Sequence, residues 1–462
     1  MTILNESGVP DALSPLYGVK SVCERLPYAL VAIVGTRSEA HLVQTLSTMG
    51  PGAPRLPEGQ RNESAPVYLM LDPSGAEQGQ LATRITGAAS ETEGAGLVLV
   101  FITRSARLLD VDASFEARLA ERRLDIPVLA VDLSPEAEGG GPARLSTDLE
   151  DRALAAMVGM CPAEQGSQEP GADKERGGLL GGFFGRGRTS GRASARSENS
   201  VPDHGRRAAT LMSLQAAPGR GGRSLRELSE DLERAGVWMK GSIPGAGAED
   251  LPALGEGSVI APMDPYLSAA VHAARERGAR IVETMLPIGV DGTARFIQDV
   301  AEATGSDVRA GETGRARSAW ERLNGLRSRI RGKRLFFTGD TGLEIPLARF
   351  LADAGAVVLE VGTPSLDREF LAAELQSLSG RGVDVIESPE WSAQIERVEE
   401  AKPDVVVASP GLYVPLVARG HLCRSSLDFL GAGVHGYEGA RRILELLVRT
   451  MDRADNLDSV EL

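Results

Sequence analysis

Cysteine, histidine and aromatic side chains are all scarce in this 462-residue chain, and each shortage removes a class of function. The three cysteines, Cys23, Cys161 and Cys423, lie far apart with no Cys-x-x-Cys pair, so neither a disulfide framework nor a self-contained zinc site is supported. The five histidines (His41, His204, His272, His421, His435) never pair at i,i+4. No Gly-x-Gly-x-x-Gly follows the first apolar run, and no phosphate-binding Gly-x-x-x-x-Gly-Lys-Ser/Thr occurs, so the usual backbone cradles for NAD and ATP are missing. No run approaches the roughly 20 apolar residues that span a bilayer. The start, Met-Thr-Ile-Leu-Asn-Glu-Ser, lacks the basic-then-apolar pattern of a secretory signal, so a cytoplasmic protein is expected. A net charge of −14 repels phosphate backbones and makes nucleic acid a poor partner.

Glycine is abundant at 54 residues, as is alanine, while aromatics make up only 4%. Cores built from Ala, Val and Leu suit tightly packed α/β layers. After a polar leader, Tyr28-Ala-Leu-Val-Ala-Ile-Val reads as a buried strand ending at Gly35, followed by a helix over 38–49. Gly96–Ile102 and Ile126–Val131 read as further buried strands, and 147–160 as the helix that ends this first region. Continuous apolar runs alternating with helices predict a parallel sheet covered on both faces. A second α/β region has strands at 258–262 and 279–284, with helices at 267–277 and 292–304. A third has strands at 334–338, 356–361, 383–386 and 404–408, and a final helix over 437–451.

Between these regions the composition changes abruptly. From Arg176 to Arg196 the chain carries five arginines and no acid, interleaved with Gly, Ser and Phe. Such a segment cannot bury enough apolar surface to offset its ordering entropy. A solvated linker is the economical reading, with binding of RNA or an acidic partner as the alternative. The expected organisation is an N-terminal α/β domain (1–162), a disordered Gly/Arg/Ser-rich insert (163–207), a second α/β domain (208–320) and a third (321–462). All three domains are expected to be doubly wound, Rossmann-like parallel sheets.

Side-chain chemistry alone marks no self-contained active site. Asp340 and Glu344 flank a helix start, where they favour the macrodipole without any catalytic role. Cys423 reads as a small buried hydrophobe, and Cys23 has no neighbouring histidine to lower its pKa. His435, in Val434-His-Gly-Tyr-Glu438, is the most suggestive group: Gly436 permits close backbone approach, and Tyr437 adds a polar handle. His435 and Tyr437 are therefore candidate substrate-pocket residues, with a structural turn as the competing reading.

The most distinctive wording is Asp340-Thr-Gly-Leu-Glu-Ile-Pro-Leu-Ala-Arg-Phe-Leu351, which opens a helix after an apolar strand and closes at Gly355. Pro346 sits in its first turn, where a missing N–H costs nothing. This stretch resembles the N-subunit family of light-independent (dark-operative) protochlorophyllide reductases, relatives of nitrogenase component 1. The likeness extends to Val34-Gly-Thr-Arg-Ser-Glu-Ala-His-Leu42, Leu154-Ala-Ala-Met-Val158, Pro287-Ile-Gly-Val-Asp-Gly-Thr293, Val361-Gly-Thr-Pro364, Leu371-Ala-Ala-Glu-Leu375 and His435-Gly-Tyr-Glu-Gly-Ala440. These are collinear apart from the insert. The Y subunit of chlorophyllide reductase shares some of them but fits 340–351 less well.

The resemblance implies a nitrogenase component 1-like fold and an N/B-type heterotetramer. It implies a tetrapyrrole substrate and electrons passed from ferredoxin by an ATP-hydrolysing iron–sulfur protein, in chlorophyll or bacteriochlorophyll biosynthesis. It also implies a [4Fe–4S] cluster held by three cysteines of the N subunit at the interface with the B-type partner. Those ligand positions fall at Tyr17, Glu39 and Thr103, none of which is a cysteine. Glu39 is an alternative carboxylate ligand, and Cys23, six residues past Tyr17, an alternative thiolate. The family's histidine after Thr-Pro is replaced by Asp367. Two readings follow. One is a reductase subunit whose cluster is held largely by its partner. The other is a cluster-less paralogue that binds tetrapyrrole or scaffolds pigment-pathway enzymes without catalysis.

Overall fold

The computed structural model describes residues 1–6, 8, 19, 22, 25–26, 29–39, 41–42, 67–71, 79–92, 95–108, 112–124, 126–133, 145–164, 207–214, 222–245, 247–308, 312–339 and 341–458. Its strands in chain order are β1 (Thr2–Asn5), β2 (Ala29–Val34), β3 (Val67–Leu71), β4 (Leu97–Ile102), β5 (Val128–Asp132), β6 (Ala209–Met212) and β7 (Met239–Ile243). There follow β8 (Val259–Pro262), β9 (Arg280–Ile281), β10 (Arg334–Phe337), β11 (Val357–Thr363), β12 (Asp384–Glu387), β13 (Val405–Ala408) and β14 (Cys423–Ser425). They form three sheets, ordered β3-β2-β4-β5, β7-β6-β8-β9 and β1-β12-β11-β10-β13-β14. Every ladder within them is parallel.

Period-2 alternation explains why β2 and β4 are apolar at every position. Leu30, Ala32 and Val34 face one core with the helices Gln80–Glu91 and Ala113–Glu121. Ala29, Val31 and Ile33 face another, shared with Met212, Ile243 and Ile260 of the second sheet. The helix Leu145–Met160 packs on Ser268–Glu276 between these two sheets. Asp151 accepts hydrogen bonds from the N–H groups of Ala269 and Ala270, both 2.8 Å, and so caps the second helix from the first.

Several expectations need correction. The polar leader contains a strand: β1 adds to the edge of the third sheet beside β12, and Arg397 binds Glu6 and the buried Glu360 together there. The helix Glu344–Asp353 has charged residues inside as well, since Glu344 to Leu351 are all buried, Arg349 included. It is packed between β11 and the helices Gly289–Thr304 and Ala372–Leu378. β9 is only two residues long, and the helix after it begins at Gly289 rather than at 292. The final helix, Gly436–Asp458, runs past 451 and packs against Gly222–Ala235 and Gly289–Thr304, reaching from the third region onto the second. The insert read over 163–207 lies almost wholly outside the described residues. Its first residue, Ala163, bridges to Leu254.

The motifs at 287–293 and 340–351 meet in space. Gly289 adopts φ +77°, and a Cβ there would overlap the Phe350 ring. A Cβ on Gly292 would overlap the Arg349 guanidinium, whose Nη2 donates to the Ile288 carbonyl. Both glycines are needed so that the helix Gly289–Thr304 can approach Glu344–Asp353.

Candidate functional site

A doubly wound sheet leaves a crevice at the carboxyl ends of its strands, where successive connections turn in opposite directions. In the first sheet this point lies between β2 and β4. Gly35 and Thr36 follow β2, and the next helix starts at Arg37. Thr36 N–H and Thr36 Oγ1 both donate to Glu39 Oε2 at 2.9 Å, a Thr-x-x-Glu capping box. Thr103, the first residue after β4, donates its hydroxyl to the same oxygen at 2.9 Å, and Ser105 donates to Oε1 at 3.0 Å. Burial works to raise the Glu39 pKa. The hydrogen bonds from Thr36, Thr103 and Ser105 outweigh it and hold the carboxyl below its usual range.

The other two switch points are tied in related ways. Between β6 and β8, Ser213 Oγ donates to Asp264 Oδ1 at 2.6 Å, and Leu214 N–H donates to Oδ2 at 2.7 Å. Between β10 and β13, Ser409 N–H donates to Thr338 Oγ1 at 2.8 Å, and the two hydroxyls lie 3.3 Å apart. A Thr-x-x-Glu pairing recurs there as well, just ahead of a helix whose N-cap is Leu343, with Thr341 N–H and Oγ1 donating to Glu344 Oε1 at 2.7 and 2.6 Å.

Of the residues singled out from sequence, Glu39 and Thr103 are thus brought into direct contact, while Tyr17 and Cys23 lie outside the described residues. Thr36 and Ser105 escaped the sequence reading, although Thr36-x-x-Glu39 is a legible capping signature. His435 is only 2% exposed, at a bridge to Ile288. Burial pulls its pKa down to about 4, so its ring is neutral at pH 7, and Asp264 Oδ1, 3.9 Å from Nε2, faces an uncharged imidazole. Tyr437 is 6% exposed, with the Arg315 guanidinium 5.4 Å from its ring centroid. Neither lines the cavity of about 590 Å³ that lies between the second and third sheets. Val271, Met285 and Phe370 give that cavity apolar walls, and its charged lining pairs Arg275 with Glu283 and Arg295 with Asp299, beside Asp367 and Glu369.

Comparison with known proteins follows these features along the whole chain. The light-independent protochlorophyllide reductase subunit N of Heliobacterium modesticaldum is 31% identical over 451 residues, covering 97% of this chain and 95% of the relative. The family model for nitrogenase component 1 type oxidoreductases matches residues 199–452. The chain belongs to the N-subunit family of light-independent protochlorophyllide reductases. A second member of the family, from Roseiflexus sp. (strain RS-1), is 40% identical over 229 residues, covering 49% of this chain and 54% of its own length. The solved structure of nitrogenase Cp1 at pH 6.5 superposes with a TM-score of 0.65 over 99% of this chain and 96% of its own. At 14% identity it establishes the nitrogenase component 1 fold and nothing finer.

Membership in this N-subunit family carries an expectation of iron–sulfur clusters, and the described residues do not fit one. Glu39 and Thr103 supply hard oxygen atoms where thiolates are wanted. Glu39 Oε2 already receives three hydrogen bonds and Oε1 a fourth. Among the described residues no group of three or more His, Cys, Asp or Glu side chains is placed to hold a metal ion. Cys161 and Cys423 are buried, and burial pushes their thiols up to about 11 and about 12, so neither is a ready thiolate. No described helix is long and apolar enough to cross a membrane.

Proposed function

We propose that this chain is the N-type subunit of a protochlorophyllide-type reductase, assembled with a B-type partner in a heterotetramer. The assembly reduces a tetrapyrrole in (bacterio)chlorophyll biosynthesis, with electrons passed from ferredoxin by an ATP-hydrolysing iron–sulfur protein. One observation carries the reading: an end-to-end likeness, over 97% of this chain, to a relative that bears the subunit N name. The cavity between the second and third sheets adds support. Its volume of about 590 Å³ falls in the range of small-molecule sites, and its apolar walls suit the face of a flat ring. His435 and Tyr437 would meet such a ligand only after the elements around them part.

A second reading is favoured by the oxygen donors at Glu39 and Thr103: a cluster-less paralogue that binds tetrapyrrole, or scaffolds pigment-pathway enzymes, without catalysis. Anaerobic co-purification with the B-type partner separates the two. A stable complex that reduces protochlorophyllide when supplied with the iron–sulfur ATPase supports the first. A complex that binds pigment but turns over only in the Tyr17→Cys, Glu39→Cys, Thr103→Cys variant supports the second. Failure to bind the B-type partner at all would sink the subunit assignment.

A further inference from the structure

We propose that the Glu39 turn is a metal-independent tie, and that this chain closes the switch point of its first sheet by hydrogen bonds instead of iron. This deepens the second reading and rests on the family resemblance that places ligand positions at Glu39 and Thr103. Three observations carry it. First, Glu39 spends both carboxylate oxygens on four donors from two segments, the turn after β2 and the start of the helix after β4. Oε2 is filled by three donors, which leaves iron only the second lone pair of Oε1 beside Ser105, a hard oxygen where a thiolate is wanted. Second, the same Thr-x-x-Glu pairing recurs at Thr341 and Glu344, where no ligand position falls, so the arrangement is not peculiar to a metal site. Third, each of the other two sheets closes the corresponding point with a short polar bridge, Ser213 to Asp264 and Thr338 to Ser409. Glu39 to Thr103 makes the set uniform. Packing agrees: a Cβ on Gly35 would overlap the Thr103 hydroxyl and approach Glu39 Oε2 to 2.8 Å.

The test uses the full-length chain, treated anaerobically with ferrous iron and sulfide and then desalted. The expected result is no retained iron, no broad absorbance near the visible edge, and a melting temperature unmoved by the treatment. Glu39→Gln and Thr103→Val should each lower that melting temperature by about 2–6 °C, with or without iron. Thr103→Val keeps the side-chain shape and guards against a Glu39 variant that does not fold. The proposal is overturned if wild-type chain retains a stoichiometric cluster that Glu39→Gln loses, or if both variants melt as wild type does. Binding of the B-type partner is scored separately. Iron uptake by the isolated chain defeats the tie while leaving the subunit assignment standing, and loss of partner binding does the reverse.

Discussion

Gly289 shows why particular residues made this chain readable. Its φ of +77° and its contact with Phe350 exclude any side chain, and the same helix needs Gly292 against Arg349. Gly289→Ala should destabilise the protein by about 2–4 kcal/mol, from left-handed strain plus overpacking. Chemical denaturation would register this, whereas Gly314→Ala, where a Cβ meets nothing within 4 Å, should cost little. The two motifs that stood out in the sequence, 287–293 and 340–351, are the ones that touch across this crowded interface. The roles of Glu39 and Thr103 were harder to see. Thr36-x-x-Glu39 was present as a capping signature, but the contact from Thr103 spans 64 residues and belongs to the sheet order, not to any local pattern.

Among elements, long apolar strands were legible and short mixed ones were not. β2, β4 and the strands near 335, 358 and 406 announced themselves by continuous apolar runs. β6 (Ala-Thr-Leu-Met) and β7 (Met-Lys-Gly-Ser-Ile) carry few β-branched residues and owe their pairing to the sheet around them. The final helix was legible, but its partners were not. Arg442 holds Glu227 of the helix Gly222–Ala235 through two bonds, 2.7 and 3.2 Å. Burial works to raise the Glu227 pKa, and Arg442 and then Arg223 overcome it, leaving the carboxyl below its ordinary 4.5. A depressed carboxylate contributes stability that is full above the unfolded value and lost as pH falls through the folded one. Wild type should therefore melt above Glu227→Gln at pH 6, and the gap should close as pH drops below about 4.5. A gap that persists unchanged at pH 3 would show that packing, not charge, joins the two helices.

At the scale of the molecule, three parallel sheets in series were foreseeable from the alternation of apolar runs with helices, and the ties between them were not. The Asp151 cap joins the first region to the second, and the C-terminal helix reaches from the third back onto the second. The Arg397 clamp binds the N-terminal segment into the last sheet, with 2.7 Å to Glu6 and 2.6 Å to Glu360. Arg397→Ala leaves Glu360, 5% exposed, as a buried carboxylate without its cation. A loss of about 3–5 kcal/mol is expected, with faster amide exchange across residues 2–5 than in wild type. Unchanged exchange there would mean that β1 holds by its backbone ladder alone.

β1 also orders events in time. Asn5 and its partner Glu387 are 382 positions apart in the chain. At about 5–20 residues per second of synthesis, residues 2–5 wait on the order of 20–80 s outside the ribosome before β12 exists to receive them. The first two sheets can be complete by then, with the earliest segment still unclaimed. Residues 2–5 thus join the fold only once β12 exists, and a bulky tag fused beside them would compete with a late step of maturation rather than an early one.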